Sequence, residues 1–422
     1  MKKITILALL ALLTCPELYA QTWTIYNVKN SEITGNNVLA IAVDHKDNLW
    51  VGTTLGLCRL KGRTWTDYAM FNEKLKNQFV NCLVVDARDV LWIGTDDYGV
   101  IEFDGTRWNE HSKETKRLNM KYIRDIAIDN DNVKWIGVTL SGFVRYDGTE
   151  WTKYTSSETQ LLSDFILCTA IDRRNRKWIG TNDGLCVYDG NRWIGFTTKN
   201  SKIPDNIVLS VAIDSKNVKW VGTLQGLASF DGEEWRVFNT DNSPLPGNQI
   251  NDLVFDKEGH LWIATSGGVA VFDGKSNWDV FTSANSSLPK AMIQNIAIDG
   301  KGNCWFGTDN SGLVCLSGYQ MKIEDEQTQA QGSSSRGGNS ASSDQGPERI
   351  KVNPNLDQGY ITISLETSSA EVIFINAKGE KVRTVSDYKN NSRLSINKMK
   401  KGAYTLRITT TRGTKEIKFT LR

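Results

Sequence analysis

Asp125 and Asp252 are acids of a kind that can flank a glycosidic bond, one supplying a proton while the other activates water or attacks; their separation decides which, and sequence does not give it. Beside them, at matching places in a repeat, stand Asn81, Arg124, Asn251, Gln294 and Asn295. A second set follows the same logic: Asp96, Asp97, Tyr98, Asn182, Asp183, Gln225, Asp309 and Asn310. Amides, carboxylates, one guanidinium and one phenol satisfy sugar hydroxyls or peptide amides directionally, so the expected ligand is a glycan, a peptide or an extracellular protein. The plain alternative is hydrated loop and channel surface. Catalysis has thinner support. Of the three histidines, His45, His111 and His260, none falls in an HxH, HExxH or nucleophile-elbow pattern. Binding without chemistry is therefore the first reading, and an extracellular polysaccharide lyase or hydrolase the second. No cofactor is expected; calcium could sit among the carboxylates and amides, but no loop demands it.

Those residues are positioned by a repeat that the tryptophans measure. Fourteen of them form two series. Trp50, Trp92, Trp135, Trp178, Trp220, Trp262 and Trp305 follow LWVG-type phrases; Trp23, Trp65, Trp108, Trp151, Trp193, Trp235 and Trp278 follow DGxxW-type phrases. Within both series the spacings are 42, 43, 43, 42, 42 and 43. Each unit holds four short apolar or alternating runs between turn residues, such as VLAIAVD, LWVGT, GLCRL and TWTDY, here lettered A to D. Four strands in such a length make one β-propeller blade. The last unit lacks a D strand near Gly318, while TWTIY (Thr22 to Tyr26) is a D strand with no blade before it. Joining them predicts seven blades, the ring closed by an N-terminal outer strand that covers an open sheet edge.

Several repeated residues are scaffold on this reading. Asp44, Asp86, Asp129, Asp172, Asp214, Asp256 and Asp299 end the A strands and suit A–B turns, where a short carboxylate accepts backbone N–H groups. Gly52 and its equivalents, replaced once by Ala264, leave room beside the tryptophan. Asp-Gly pairs such as Asp104-Gly105 suit tight C–D hairpins. The candidate residues are those that vary instead: five and four positions before each A-strand acid, and in the B–C loops. They are expected on the face formed by the D–A and B–C loops.

The chain ends differ in character. Lys2-Lys3, an apolar run and Ala20 before Gln21 make residues 1–20 a signal peptide, so export to the periplasm, cell surface or exterior is expected. No later run approaches a membrane helix. With 50 basic and 48 acidic residues, a nucleic-acid partner is not indicated. The six cysteines beyond the signal peptide form no CxxC pair and are read as buried thiols. Residues 21–320 are the propeller and 321–348, rich in Ser, Gly and Gln, a disordered linker. Residues 349–422 are a small C-terminal Ig-like β-sandwich with a hairpin at Gly379. A monomer is expected.

The D-x-x-x-N/G-x-LWIGT…GL pattern resembles the two-component regulator propeller repeats of periplasmic sensor regions. That resemblance implies extracytoplasmic recognition; the membrane helix and kinase modules of those sensors are not seen here. Asn353-Pro354, VIFINAKGEKV, KKGAYTLRI and the closing KEIKFTLR resemble the sorting domain of type IX secretion in Bacteroidetes, which implies the secretion machinery as a partner.

Overall fold

The computed structural model describes residues 21–111 and 117–321, and, of residues 351–421, all but 356–359, 365–368, 379, 390–392, 397–398, 401 and 411–412. The expected signal peptide, the expected linker beyond Met321 and the expected hairpin residue Gly379 lie outside the described residues.

In blade 1 the strands are Val38–Val43 (A), Leu49–Thr53 (B), Gly56–Lys61 (C) and Thr64–Asp67 (D), each antiparallel to the next. Blades 2 to 6 repeat this order, with A strands Val80–Val85, Ile123–Ile128, Ile166–Ile171, Val208–Ile213 and Ile250–Phe255. In blade 7, Ile293–Ile298, Cys304–Thr308 and Leu313–Ser317 are completed by Thr22–Tyr26, which pairs with the C strand from Thr22↔Ser317 to Tyr26↔Leu313. Every B strand is buried along its whole length, because its two faces meet the neighbouring blades.

The A–B acids do more than hold turns. Asp44 Oδ1 accepts the N–H groups of Lys46 and Asn48 at 3.0 and 2.9 Å, and its Oδ2 accepts Trp50 Nε1 at 3.1 Å. The same indole bond recurs at 2.9 to 3.1 Å for Trp135, Trp178, Trp262 and Trp305. One carboxylate thus ties the turn to the core tryptophan and satisfies a donor that burial would otherwise strand. Blades 3 to 5 add a lysine at the start of strand B. Lys134, Lys177 and Lys219 are buried, with Nζ 4.6, 4.7 and 5.0 Å from the indole centroid of the preceding blade. Lys177 Nζ also reaches the preceding blade's Asp129 at 3.0 Å.

The B-strand glycines correct one expectation. Their room is needed by the next blade and, at Gly94, Gly180 and Gly307, by the paired A-strand side chain of the same blade, rather than by the tryptophan. A Cβ on Gly52 would lie 2.6 Å from Val80, and one on Gly137 2.7 Å from Ile166, each the first A-strand residue of the following blade.

In blades 2 to 6 an aromatic at the end of strand C stacks on the D-strand tryptophan, as Phe103 does on Trp108 at 4.2 Å, and touches the preceding blade's B-strand tryptophan. Blade 7 has Leu316 there. Tyr319, beyond the repeat, supplies the missing ring: it stands edge-on to Trp262 at 4.8 Å and donates its hydroxyl to Asp279 at 2.8 Å, both in blade 6. Tyr319→Ala should cost roughly 2–4 kcal/mol and Tyr319→Phe about 1 kcal/mol, read from urea unfolding. Equal losses would remove the ring's role.

The tail has a three-stranded sheet (Lys351–Asn355, Tyr360–Ser364, Arg393–Ser395) and a four-stranded one (Lys381–Lys389, Ser369–Asn376, Gly402–Thr410, Gly413–Leu421). Ile361, Ile363 and Leu394 of the first sheet share a core with Val372, Phe374, Leu406 and Ile408 of the second, as in a β-sandwich.

Candidate functional site

Every A strand begins with a β-bulge, where its pairing with strand B skips one residue: Leu39, Asn81, Arg124, Leu167, Leu209, Asn251 and Gln294. These are the positions five before each acid. A bulge re-aims side chains, and here it turns the amides toward the following blade. Asn81 Nδ2 donates to Ile123 O at 3.0 Å, Asn251 Nδ2 to Ile293 O at 2.7 Å and Gln294 Nε2 to Val38 O at 3.2 Å. Arg124, exposed, makes no hydrogen bond or ion pair among the described residues.

The next residue in each strand pairs with the B-strand glycine, as Asp125 does with Gly137 and Asn295 with Gly307, or in blade 6 Asp252 with Ala264. Asn295 Nδ2 donates to Val38 O at 3.0 Å, and Asp252 accepts Leu253 N and Ile296 N, each at 2.8 Å. Asp252 therefore serves the seam between blades 6 and 7. Asp125 Oδ2 is buried with no hydrogen-bond partner. Burial pushes the Asp125 carboxyl up to about 7; the charge of Asp252 adds to the rise, while N–H groups of Thr169 and Ile126 hold it down. Burial also raises Asp252, against the N–H groups of Ile296 and Leu253. Among the described residues no three His, Cys, Asp or Glu side chains gather in a way that could hold a metal ion.

The B–C loop candidates stand nearer solvent. Asp96 accepts Asn81 Nδ2 at 2.5 Å and its carbonyl accepts Tyr122 N at 2.8 Å, so blade 2 holds the entry to blade 3. Asp97 meets Gln78 Nε2 at 3.4 Å, and Tyr98 is exposed under Lys74, whose Nζ lies 5.7 Å from the ring centroid. Asn182, Asp183, Gln225 and Asn310 are exposed; Asp309 accepts Met292 N at 3.2 Å. The structure thus brings Asn81, Asp96, Asp97, Tyr98 and Arg124 together around the loops of blades 2 and 3, and Asn251, Asp252, Gln294, Asn295, Asp309 and Asn310 along blades 6 and 7, with Asn182, Asp183 and Gln225 apart from both.

Exposed apolar residues, all but Tyr98 outside the candidate positions, mark the same sector. Leu55, Met70, Phe71, Phe79, Tyr98, Tyr122 and Leu140 are all exposed large hydrophobics, and all belong to the D–A or B–C connections of blades 1 to 3. Tyr122 and Leu140 have φ of 57° and 60°, a left-handed conformation costly for such side chains. The sequence signal was available: Phe79 and Tyr122 lie seven residues before their acids, two beyond the positions searched. The connecting loops differ too. Those into blades 1, 5, 6 and 7 are capped by Asn30, Asn200, Asn242 and Asn285, each accepting a backbone N–H three residues earlier at 2.7 to 2.8 Å. The loop into blade 2 instead forms two 3-10 turns, Tyr68–Met70 and Glu73–Leu75.

Histidine chemistry finds no place in this sector. His111 stands where the other blades have Tyr or Phe, buried and parallel to Trp92 at 5.9 Å with Glu102 as its partner. His260 bonds Asp256 at 3.0 Å on the opposite face. There, between blades 6 and 7, Asp256, His260, Trp262, Lys301 and Tyr319 line a hollow of about 920 Å³, the space left where Tyr319 crosses the closing seam.

Three segments, 32–54, 74–97 and 244–267, match the two component regulator propeller family, and residues 351–422 match the secretion system C-terminal sorting domain. Among solved structures, the extracellular domain of a hybrid two component system from B. thetaiotaomicron aligns with a TM-score of 0.64 at 19% identity, covering 95% of this chain and 57% of its own. PorZ, a surface component of the type-IX secretion system of Porphyromonas gingivalis, aligns at 0.56 and 16%, covering 94% and 60%. Virginiamycin B lyase from Staphylococcus aureus aligns at 0.58 and 12%, covering 72% and 100%. At these identities the likeness is one of fold, and the chain spans less than two thirds of the first two. No curated protein matches the sequence. The chain carries two component regulator propeller repeats closed into a seven-bladed ring, and it ends in a type IX secretion sorting domain that indicates export to the cell surface or beyond.

Proposed function

We propose that the propeller is an exported binding module that takes its ligand, a glycan, peptide or protein, on the D–A/B–C face over blades 1 to 3. The observation that carries this reading is a coincidence in one sector: most of the exposed large hydrophobics of the described propeller lie there, Val28 and Ile194 apart, beside Asp96, Asp97 and Arg124. Exposed apolar patches rimmed by polar groups mark interaction sites. The sorting domain implies engagement of the secretion machinery as a separate matter.

Tyr122→Asn tests this without threatening the fold, because Asn tolerates left-handed backbone better than Tyr. The full mature chain is screened against arrays of polysaccharides, peptides and extracellular proteins. The variant should keep or slightly raise its melting temperature and weaken its best hit about tenfold, near 1.4 kcal/mol. Turnover of any polysaccharide would replace binding with the lyase or hydrolase reading. Undiminished binding, or no hit at all, contradicts the proposal.

A further inference from the structure

We propose that the partner seated on blades 1 to 3 is a protein segment carrying apolar anchors followed by acidic residues; this rests on the binding-face reading and narrows it. The sector is contiguous by direct contacts. Phe71 packs on Tyr68 at 5.6 Å, and Lys74, in the next turn, lies over Tyr98. The loop of Tyr98 accepts Tyr122 N through Asp96 O, and Tyr122 O accepts Thr139 N at 3.1 Å, beside Leu140. Ser141 donates to Asn119 O at 2.8 Å and closes the far end.

Its chemistry is that of a protein contact. Met70 and Leu140 are 83% and 73% exposed, and such aliphatic surface gains little from sugar rings but a good deal from burial under Leu, Ile or Phe. At the blade 1 end, Ile33, Trp65, Met70 and Phe71 line a hollow of about 490 Å³, with room for an anchoring side chain. At the blade 3 end, Arg117, Lys121 and Arg124 are exposed and make no ion pair among the described residues, so the complementary partner is acidic there. Leu140 supplies an independent argument. At φ 60° an Asn or Gly would be less strained, and strained non-glycine backbone clusters at ligand-contact sites.

The test is selection of short random peptides displayed on phage against the full mature chain. Enriched peptides should combine aromatic or aliphatic residues with Asp or Glu. A synthetic copy of one should bind about tenfold more weakly to Leu140→Asn and Phe71→Ser. Arg124→Glu and added salt should weaken it too, while Lys301→Ala on the opposite face leaves it unchanged. Leu140→Asn relieves backbone strain, so unfolding does not explain its loss. Failure to enrich any sequence, or peptides that bind both hydrophobic variants at full strength, overturns the inference. If polysaccharide binding sensitive to Tyr122→Asn is found instead, the binding face stands and only the protein partner falls. If no variant on this face affects any probe, both fall.

Discussion

A chain beginning at Asn27 is expected to lose the single cooperative unfolding transition and to self-associate. Removing Thr22–Tyr26 strips five residue pairs from the blade 7 C strand and leaves Leu313–Ser317 as an open edge. It also removes Trp23, which packs against Phe281 and Phe306 at 5.5 and 6.2 Å, and Tyr26, which meets Trp65 and Trp305 at 5.7 and 6.0 Å. The second pair matters most, because Trp65 belongs to blade 1 and Trp305 to blade 7. Losing the packing of Trp23, Tyr26 and Ile25, the last against the blade 7 core, costs on the order of 5 kcal/mol, comparable with the whole stability of an ordinary domain. Calorimetry and light scattering would show a broadened, lowered transition and species larger than the monomer. A sharp transition within a few degrees of the intact chain would mean that the ring closes without this strand.

Asp125→Asn is expected to stabilise the protein above neutral pH and to leave it unchanged near pH 4. The native carboxyl takes up its proton at about 7, the unfolded one at about 3.9. Between those values the native state binds more protons than the unfolded state, so stability falls as pH rises from about 4 to about 7 and then levels off. Asparagine has no proton to lose, and the variant lacks this contribution; Asp252, also raised by burial, keeps a contribution of the same sign in both proteins, so the comparison of variant with wild type isolates Asp125. A shift of about three units corresponds to about 4 kcal/mol; residual solvent contact of the residue reduces this to roughly 2–4 kcal/mol. Asp86, Asp129 and Asp172 have lowered values and act in the opposite sense, below about pH 4, outside this window. Urea unfolding of both proteins at about pH 4.5 and about pH 8 decides it. A wild-type protein equally stable at both, or a variant weaker at the higher pH, would show that Asp125 is not held in a low-dielectric seam.

The blades were readable because a period of 42 or 43 residues, carried by tryptophans, leaves little choice of architecture, and the orphan TWTIY strand implied closure. Local turn chemistry was readable for the same reason: seven equivalent acids can hardly all be catalytic. What sequence hid were consequences of three-dimensional register. The bulges that turn Asn81, Asn251 and Gln294 toward the next blade follow from pairing between strands A and B, which no count along the chain reveals. Tyr319 is invisible as a blade residue because it comes from outside the repeat to occupy the place that Leu316 leaves empty. Many of the positions that differ between blades, Asp252 and Asn295 among them, vary in how they fasten the seam. The exposed ring of Tyr122 lies two residues beyond the candidate positions, and its positive φ is not foreseeable for a tyrosine.

Whether recognition lies on the D–A/B–C face over blades 1 to 3 is read out by amide hydrogen exchange on the full mature chain, with and without its strongest array hit at saturation. Slowed exchange is expected in residues 68–79, 96–98, 117–125 and 139–142. Protection confined to the opposite face, at 256–260 and 300–303, would contradict it.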